Sequence, residues 1–358
     1  MPGARVLRRL RPDRVLSRLS ALWTERVIGK NRLGVPETEL ATMRADILER
    51  RALMDPAYLA TRYRAMGLRV ITDPFDREIV VPVIAALQAG EPYLLVRLGD
   101  REMNLFSYGA DPGTPVLDSV AMEQAVMMCA DRFRVTDGQA LRVRDAMVAS
   151  VEAADSVGVV GLWRARPASV DDMTEHAVRT LHKSVRATSG HWRGIAQMLN
   201  YAEAGALAGK LICSAHAYFG VSHFLPDLMA AARKVLCICN RPEAVGRLRA
   251  LFPDALVDLI ELNADQIPEA QLADTPFFLS AVEARLNADL SGTLVLLGAG
   301  PWAEIYGEMV RRRGGVAVDI GSAFDLLNGN RSRRIHSHYL DDRGLDSLDL
   351  FGADRTLP

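Results

Sequence analysis

The feature that most constrains this chain is the alternation of short, largely apolar runs with helix-like stretches. Such runs occur at 93–98 (YLLVRL), 157–162 (VGVVGL), 211–215 (LICSA), 234–239 (KVLCIC), 256–261 (LVDLIE), 293–298 (TLVLLG) and 316–320 (VAVDI). Continuous Val, Leu and Ile without polar alternation suits strands covered on both faces, as in a parallel sheet. Strands separated by helices need right-handed crossovers. The expectation is a Rossmann-like α/β fold, a mostly parallel sheet flanked by helices, with an N-terminal helical extension.

Helix signals agree. Residues 38–53 and roughly 76–89 read as helices, broken by Pro56, Gly67 and Pro74. Ser169 with Asp172 makes a capping-box pattern, Asn240 stands before a helix with Pro242 in its first turn, and Pro301 opens a helix that stops at Gly314-Gly315. Three regions are expected: a basic helical extension at 1–75, an α/β domain at 76–330, and a polar, acidic tail at 331–358 that docks loosely or frays.

Charge bears on partners. With 43 Lys and Arg against 44 Asp and Glu, the net charge of −1 argues against a field built for nucleic acid. The first thirty residues are strongly basic, however, with seven arginines and Lys30 interleaved with Leu7, Leu10, Leu16, Leu19, Leu22 and Trp23. That pattern suits a helix lying on an anionic membrane, or equally one packed on its own domain or on a second copy in a homo-oligomer. No run reaches the ~18 apolar residues that span a bilayer, and no signal-peptide core is present. Four cysteines (Cys129, Cys213, Cys237, Cys239) read as buried small hydrophobes. A cytoplasmic setting follows, with the basic segment placing the protein peripherally at the inner membrane face under the membrane reading.

In a doubly wound sheet, ligands bind beyond the carboxyl ends of the strands. The run ending in Arg97-Leu98-Gly99-Asp100-Arg101-Glu102 is such an end. With an extended backbone Asp100 and Glu102 project the same way, where two carboxylates can share a hard cation such as Mg²⁺ or Mn²⁺. Gly99 lets a ligand come close, and Arg97 can brace a carboxylate or meet a phosphate. Other strand-terminal candidates are His216, Tyr218, Asn240, Arg241, Glu261 and Asn263; Asn240 and Arg241 at a helix N-terminus suit an anionic diphosphate.

This string resembles the R-x-G-D-G-E signature of GT-D-type glycosyltransferases, a bacterial family. A second likeness comes two hundred residues later, in Leu294 to Pro301 with its Gly298 and Gly300 turn, the helix 302–313, and Val318-Asp319-Ile320-Gly321. The likeness covers roughly residues 76–328. It implies Mn²⁺ or Mg²⁺ at Asp100 and Glu102, and Arg97, Gly99, Asn240, Arg241, Gly298 and Gly300 around a nucleoside-diphosphate sugar, a UDP-sugar in the first instance. The sugar would pass to a hydroxyl of a glycan, lipid-linked or protein-linked acceptor in polysaccharide or glycoconjugate synthesis. His216, Glu261 and Asp319 are then candidates for the proton acceptor. Two positions depart from the family: Arg101 stands where Gly is usual, and Ser322 follows D-I-G where many relatives have His, so a role for that His does not carry over. The alternative is an S-adenosylmethionine methyltransferase or dinucleotide-binding enzyme that uses the Gly298–Gly300 turn, with Asp319 on a ribose. Only about forty residues follow Asp319, too few for the rest of such a cofactor domain.

Overall fold

A computed structural model describes residues 37–109, 137–165, 168–181, 185–262 and 279–351. The basic segment 1–30, Cys129 and Asn263 lie outside them. Eight strands form one sheet: β1 (Arg69–Val70), β2 (Tyr93–Leu98), β3 (Ser156–Val159), β4 (Leu211–Ser214), β5 (Lys234–Cys239), β6 (Val257–Glu261), β7 (Thr293–Gly298) and β8 (Val316–Asp319). Their order is β1-β4-β3-β2-β8-β7-β5-β6, and every neighbouring pair is parallel. The expected parallel α/β sheet is therefore present.

Helices α1 (Glu37–Glu49) and α2 (Pro56–Ala65) precede β1, and α3 (Val81–Ala89) leads into β2. Between β2 and β3 come α4 (Asp100–Phe106) and α5 (Asp137–Ala153); between β3 and β4, α6 (Val170–Thr180) and α7 (Val185–Glu203). Then follow α8 (Tyr218–His223) and α9 (Leu225–Ala231) before β5, α10 (Pro242–Leu251) before β6, and α11 (Leu279–Arg285) before β7. Helix α12 (Ala303–Arg312) joins β7 to β8; α13 (Ala323–Leu327) and α14 (Arg334–Arg343) close the described chain.

Alternate strand residues feed two cores. Leu94, Val96 and Leu98 of β2 pack with α5, α7 and α12, whereas Tyr93 and Leu95 pack with α3, α8 and α9. Both faces of the sheet are thus dry, which is why its strands read as apolar runs. Cys237 and Cys239 share one core as free, buried thiols. The caps follow local chemistry: the Ser169 hydroxyl accepts from Asp172 N at the start of α6, and Gly90 (φ +70°) ends α3 in the left-handed conformation.

Three expectations need correction. The boundary drawn between 75 and 76 runs through the domain, because β1 pairs with β4 and Leu53, Leu59 and Tyr63 belong to the main core. Residues 334–351, expected in a loose tail, bury His336, Tyr339, Leu340, Leu350 and Phe351. Polar residues between these apolar ones mask the pattern in sequence. Finally, α10 is capped by Arg241 and not by Asn240. Pro at the first helical position disfavours helical backbone in the residue before it, so Arg241 takes the non-helical cap conformation (φ −131°, ψ 67°).

Candidate active site

Strand β2 hands the chain on toward β3 on one side, and β8 receives it from β7 on the other. The two lie side by side at the centre of the sheet. This is the topological switch point where open α/β sheets bind ligands. Beyond the carboxyl ends of the strands lies a cleft of about 1490 Å³. Arg97, Gly99, Asp100, Glu102, His216, Asn240, Arg241, Glu261, Gly298, Gly300 and Asp319 all line it.

The D-x-E string and the D-I-G string therefore meet on adjacent strands. Arg97 joins them: its Nε donates to Asp319 O (2.7 Å), its Nη1 to Ala215 O (2.6 Å), and its Nη2 pairs with Asp319 Oδ2 (2.9 Å). The guanidinium also lies 4.8 Å from the centre of the Tyr218 ring. Of its two anticipated roles, Arg97 here performs the bracing of a carboxylate. The other Asp319 oxygen accepts from Gly321 N at 2.8 Å. Gly321 has φ +45°, and a Cβ there would come 2.3 Å from Arg97 Nη2, so only glycine fits the turn.

Asp100 and Glu102 are not extended. Gly99 caps α4, and the helix begins at Asp100. Two residues apart on a helix, the carboxylates diverge by about 200° around the axis, so they do not form the parallel pair that an extended backbone predicts. Acidic residues favour a first helical turn because the unsatisfied N–H groups and the helix dipole are positive there, and that preference starts the helix one residue after Gly99. Asp100 remains close to Glu102 and to His191 of α7, both of which feel its charge.

Sequence reasoning misses a fourth carboxylate at the centre. Glu304, in the first turn of α12, is 1 % exposed, and neither of its oxygens has a hydrogen-bond partner among the described residues. Burial, then the charges of Asp319 and Glu102, push its carboxyl well above the ordinary range. Burial chiefly, with Asp100 and Asp319 adding, pushes Glu102 up to about 7. Burial raises Asp319 as well, against the opposing pull of Arg97. In sequence Glu304 is marked only by its place in the first turn of the helix after the Gly298–Gly300 turn, which does not separate it from Glu308.

Opposite this acidic floor is a basic, donor-rich wall. The N-terminus of α10, Arg241 and Arg247 contribute, with Arg241 held by Asp325 (3.0 Å) and by the Asn240 side chain (2.7 Å). Arg101 and Arg333 line the cleft and make no ion pair among the described residues; Arg333 falls in the segment whose polar sequence reads as a loose tail, which hides it. Gly300 (φ +57°) turns the chain into α12, and Gly298 is bare because a Cβ would strike Phe324 at 2.3 Å.

His216 lies on the opposite wall, its ring 5.3 Å from the Trp163 ring, with its backbone N–H donating to Ser214 Oγ. Burial, reinforced by Arg97, His191 and His336, lowers its pKa to about 3 and keeps the imidazole neutral. Glu261, on edge strand β6, is four strand spacings from β2, roughly 19 Å. The structure thus gathers Asp100, Glu102, Asp319, Glu304 and His216 around the centre and leaves Glu261 at the far end. Among the described residues, no group of three or more His, Cys, Asp and Glu side chains is placed to hold a metal. Comparison of the chain with protein-family models, with curated proteins and with solved structures finds no match in any of the three.

Proposed function

We propose that this protein is a metal-assisted glycosyltransferase that uses a nucleoside-diphosphate sugar. One observation carries the reading: a desolvated acidic floor faces a wall of arginines and helix N–H groups across the switch-point cleft. A dianionic diphosphate bridged to a divalent cation matches both surfaces at once. The fit to a hard cation rests on donor chemistry. Asp100 and Glu102 line the floor with carboxylate oxygens, and buried Glu304, whose charge Glu102 adds to, has two oxygens with no protein donor among the described residues. One or two carboxylates plus phosphate oxygens are a usual Mg²⁺ or Mn²⁺ shell, and Glu102 with Asp100 would supply them. The bound cation would neutralise charge developing on the leaving diphosphate.

The chain's own groups account for the rest. Arg241, Arg333 and the α10 N-terminus bind and orient the diphosphate, while Glu261 and Asn240 line the far end of the cleft, where the nucleoside would extend. In the transfer, the acceptor hydroxyl oxygen bonds to the anomeric carbon. The bond from that carbon to the diphosphate oxygen breaks with its electron pair staying on the diphosphate, and the hydroxyl proton passes to the neutral His216 imidazole.

The methyltransferase or dinucleotide alternative has local geometry in its favour, since β7, the glycine turn, α12 and β8 form a βαβ unit of adjacent strands. Against it, both Asp319 oxygens are already bonded, to Arg97 and to Gly321 N, so a ribose hydroxyl would have to displace them. A panel of nucleotide sugars, S-adenosylmethionine and NAD, titrated with and without Mn²⁺, decides between the two. Mn²⁺-dependent binding and turnover of a nucleotide sugar are expected, lost by at least about a hundredfold in Asp100→Ala and Glu102→Ala with the melt retained. Metal-independent binding of S-adenosylmethionine or NAD, with no nucleotide-sugar binding, overturns the assignment.

A further inference from the structure

A second cavity of about 1080 Å³ opens on the same edge of the sheet, beyond β1 and β3. Its wall includes Phe75, Trp163 and Tyr339, and its rim carries Arg64, Arg164 and Arg343. The aromatic side is well ordered by packing. Phe75 stacks on Tyr339 (4.5 Å, 15°), and Trp163 meets Phe75 edge-on at 6.3 Å. Arg343 lies 4.1 Å over the Tyr339 ring and 5.6 Å from Phe75.

The charges are unbalanced. None of the three arginines forms an ion pair with a described residue, and Arg164 Nε is buried with no hydrogen-bond partner. Among the described residues, Arg164 is anchored by a bond from Nη2 to Met54 O (2.7 Å) and feels the charge of Asp55, and Arg64 is held by one bond to Val70 O (3.3 Å). The acid on this wall, Asp73, accepts from Phe75 N. Guanidinium groups in such an arrangement are suited to a carboxylate or phosphate, and the aromatic wall to the apolar face of a ring.

The two cavities are neighbours. Trp163 lines the second, His216 lines the first, and their rings are 5.3 Å apart. A ligand lying along Trp163 can thus present a hydroxyl past His216 to the switch-point cleft. We propose that the second cavity is the acceptor subsite and that it takes a saccharide bearing a carboxylate or a phosphate. This rests on the glycosyltransferase reading for the word acceptor, but the binding preference stands on the cavity's own residues.

Saturation-transfer NMR on the full-length protein, with glucuronate, glucose 6-phosphate and glucose as probes, tests it. At least one charged sugar should give a signal about fivefold or more above glucose, and which one identifies the anion. The double variant Arg64→Gln/Arg343→Gln, altering two exposed side chains, should abolish that preference, and Trp163→Ala should weaken all three signals. A parallel titration with UDP and Mn²⁺ separates the two proposals. Charged-sugar binding without UDP binding leaves the subsite standing and removes the glycosyltransferase reading. No signal from either charged sugar, signals equal to that of glucose, persistence in the double variant, or competition by UDP for the same site overturns the acceptor subsite.

Discussion

Burial pushes the carboxyls of Glu102 and Glu304 above the ordinary range, and the sign of the consequence follows from linkage. A carboxyl whose pKa is raised on folding binds its proton more tightly in the native state, so stability is greatest at low pH and falls as pH rises from the unfolded value through the folded one. For Glu102 that window runs from its ordinary value of 4.5 to about 7. In chelated buffer, Glu102→Gln should therefore melt higher than the unmutated protein at pH 8, by on the order of 1–3 kcal/mol, and the difference should vanish near pH 4.5. Differential scanning calorimetry across that range checks it; a pH-independent difference would mean that the carboxyl ionises freely. Because a cation would neutralise the same charges, Mn²⁺ should raise the melt at pH 8 in the unmutated chain and much less in Glu102→Gln. The acids at 100, 102 and 319 are legible in sequence because each follows an apolar run. Glu304 is not, because nothing in AEIYGEM marks one glutamate as facing a strand end and the other as facing solvent.

The elements that aim these side chains depend on contacts that leave no periodic trace. Helix α4 carries Asp100 and Glu102 and lies against α7, where Gly190 and Gly194 are one turn apart. A Cβ on Gly190 would sit 1.9 Å from Asp100 O, and one on Gly194 would sit 2.4 Å from Met103 Cβ. Backbone cannot yield as a flexible side-chain end can, so Gly190→Ala must push the first turn of α4 away from the floor. We expect a loss of about 1–3 kcal/mol in stability together with loss of Mn²⁺-dependent nucleotide binding. Gly246→Ala is the control: it is in α10 with nothing within 4 Å of its added methyl, and should gain roughly 0.5–1 kcal/mol. If the two variants behave alike in urea melts, the close approach carries no weight. Seven of the eight strands are legible because burial on both faces writes itself as Val, Leu and Ile. The edge strand β1 is two residues long and begins with Arg69, too short to form a run, and the turn from strand to helix at Gly99–Asp100 is set by capping, which hydropathy does not record.

At the scale of the molecule, the last described segment ties the fold together across its carboxyl edge. His336 is completely buried, with Nε2 3.1 Å from Tyr218 Oη, at the exit of β4, and 3.2 Å from Ser322 Oγ, at the exit of β8. Two strands separated in the sheet by β3 and β2 are thus joined through one imidazole. Burial, helped by Arg333, lowers the pKa of that imidazole to about 4; the group is neutral through the physiological range, and its depressed value makes the native state less stable as pH falls from about 6.5 toward 4. Beyond it, Tyr339, Leu340, Leu350 and Phe351 fill the core shared with α3, α8 and α13. Phe351 is 2 % exposed, so Phe351→Ala should cost about 3–5 kcal/mol through lost burial and the cavity left behind. A docked but dispensable tail would instead tolerate the change within about 0.5 kcal/mol. The global urea transition distinguishes these outcomes, since a segment that belongs to the core lowers the midpoint of the whole cooperative unfolding, and one that merely rests on it adds a separate early phase.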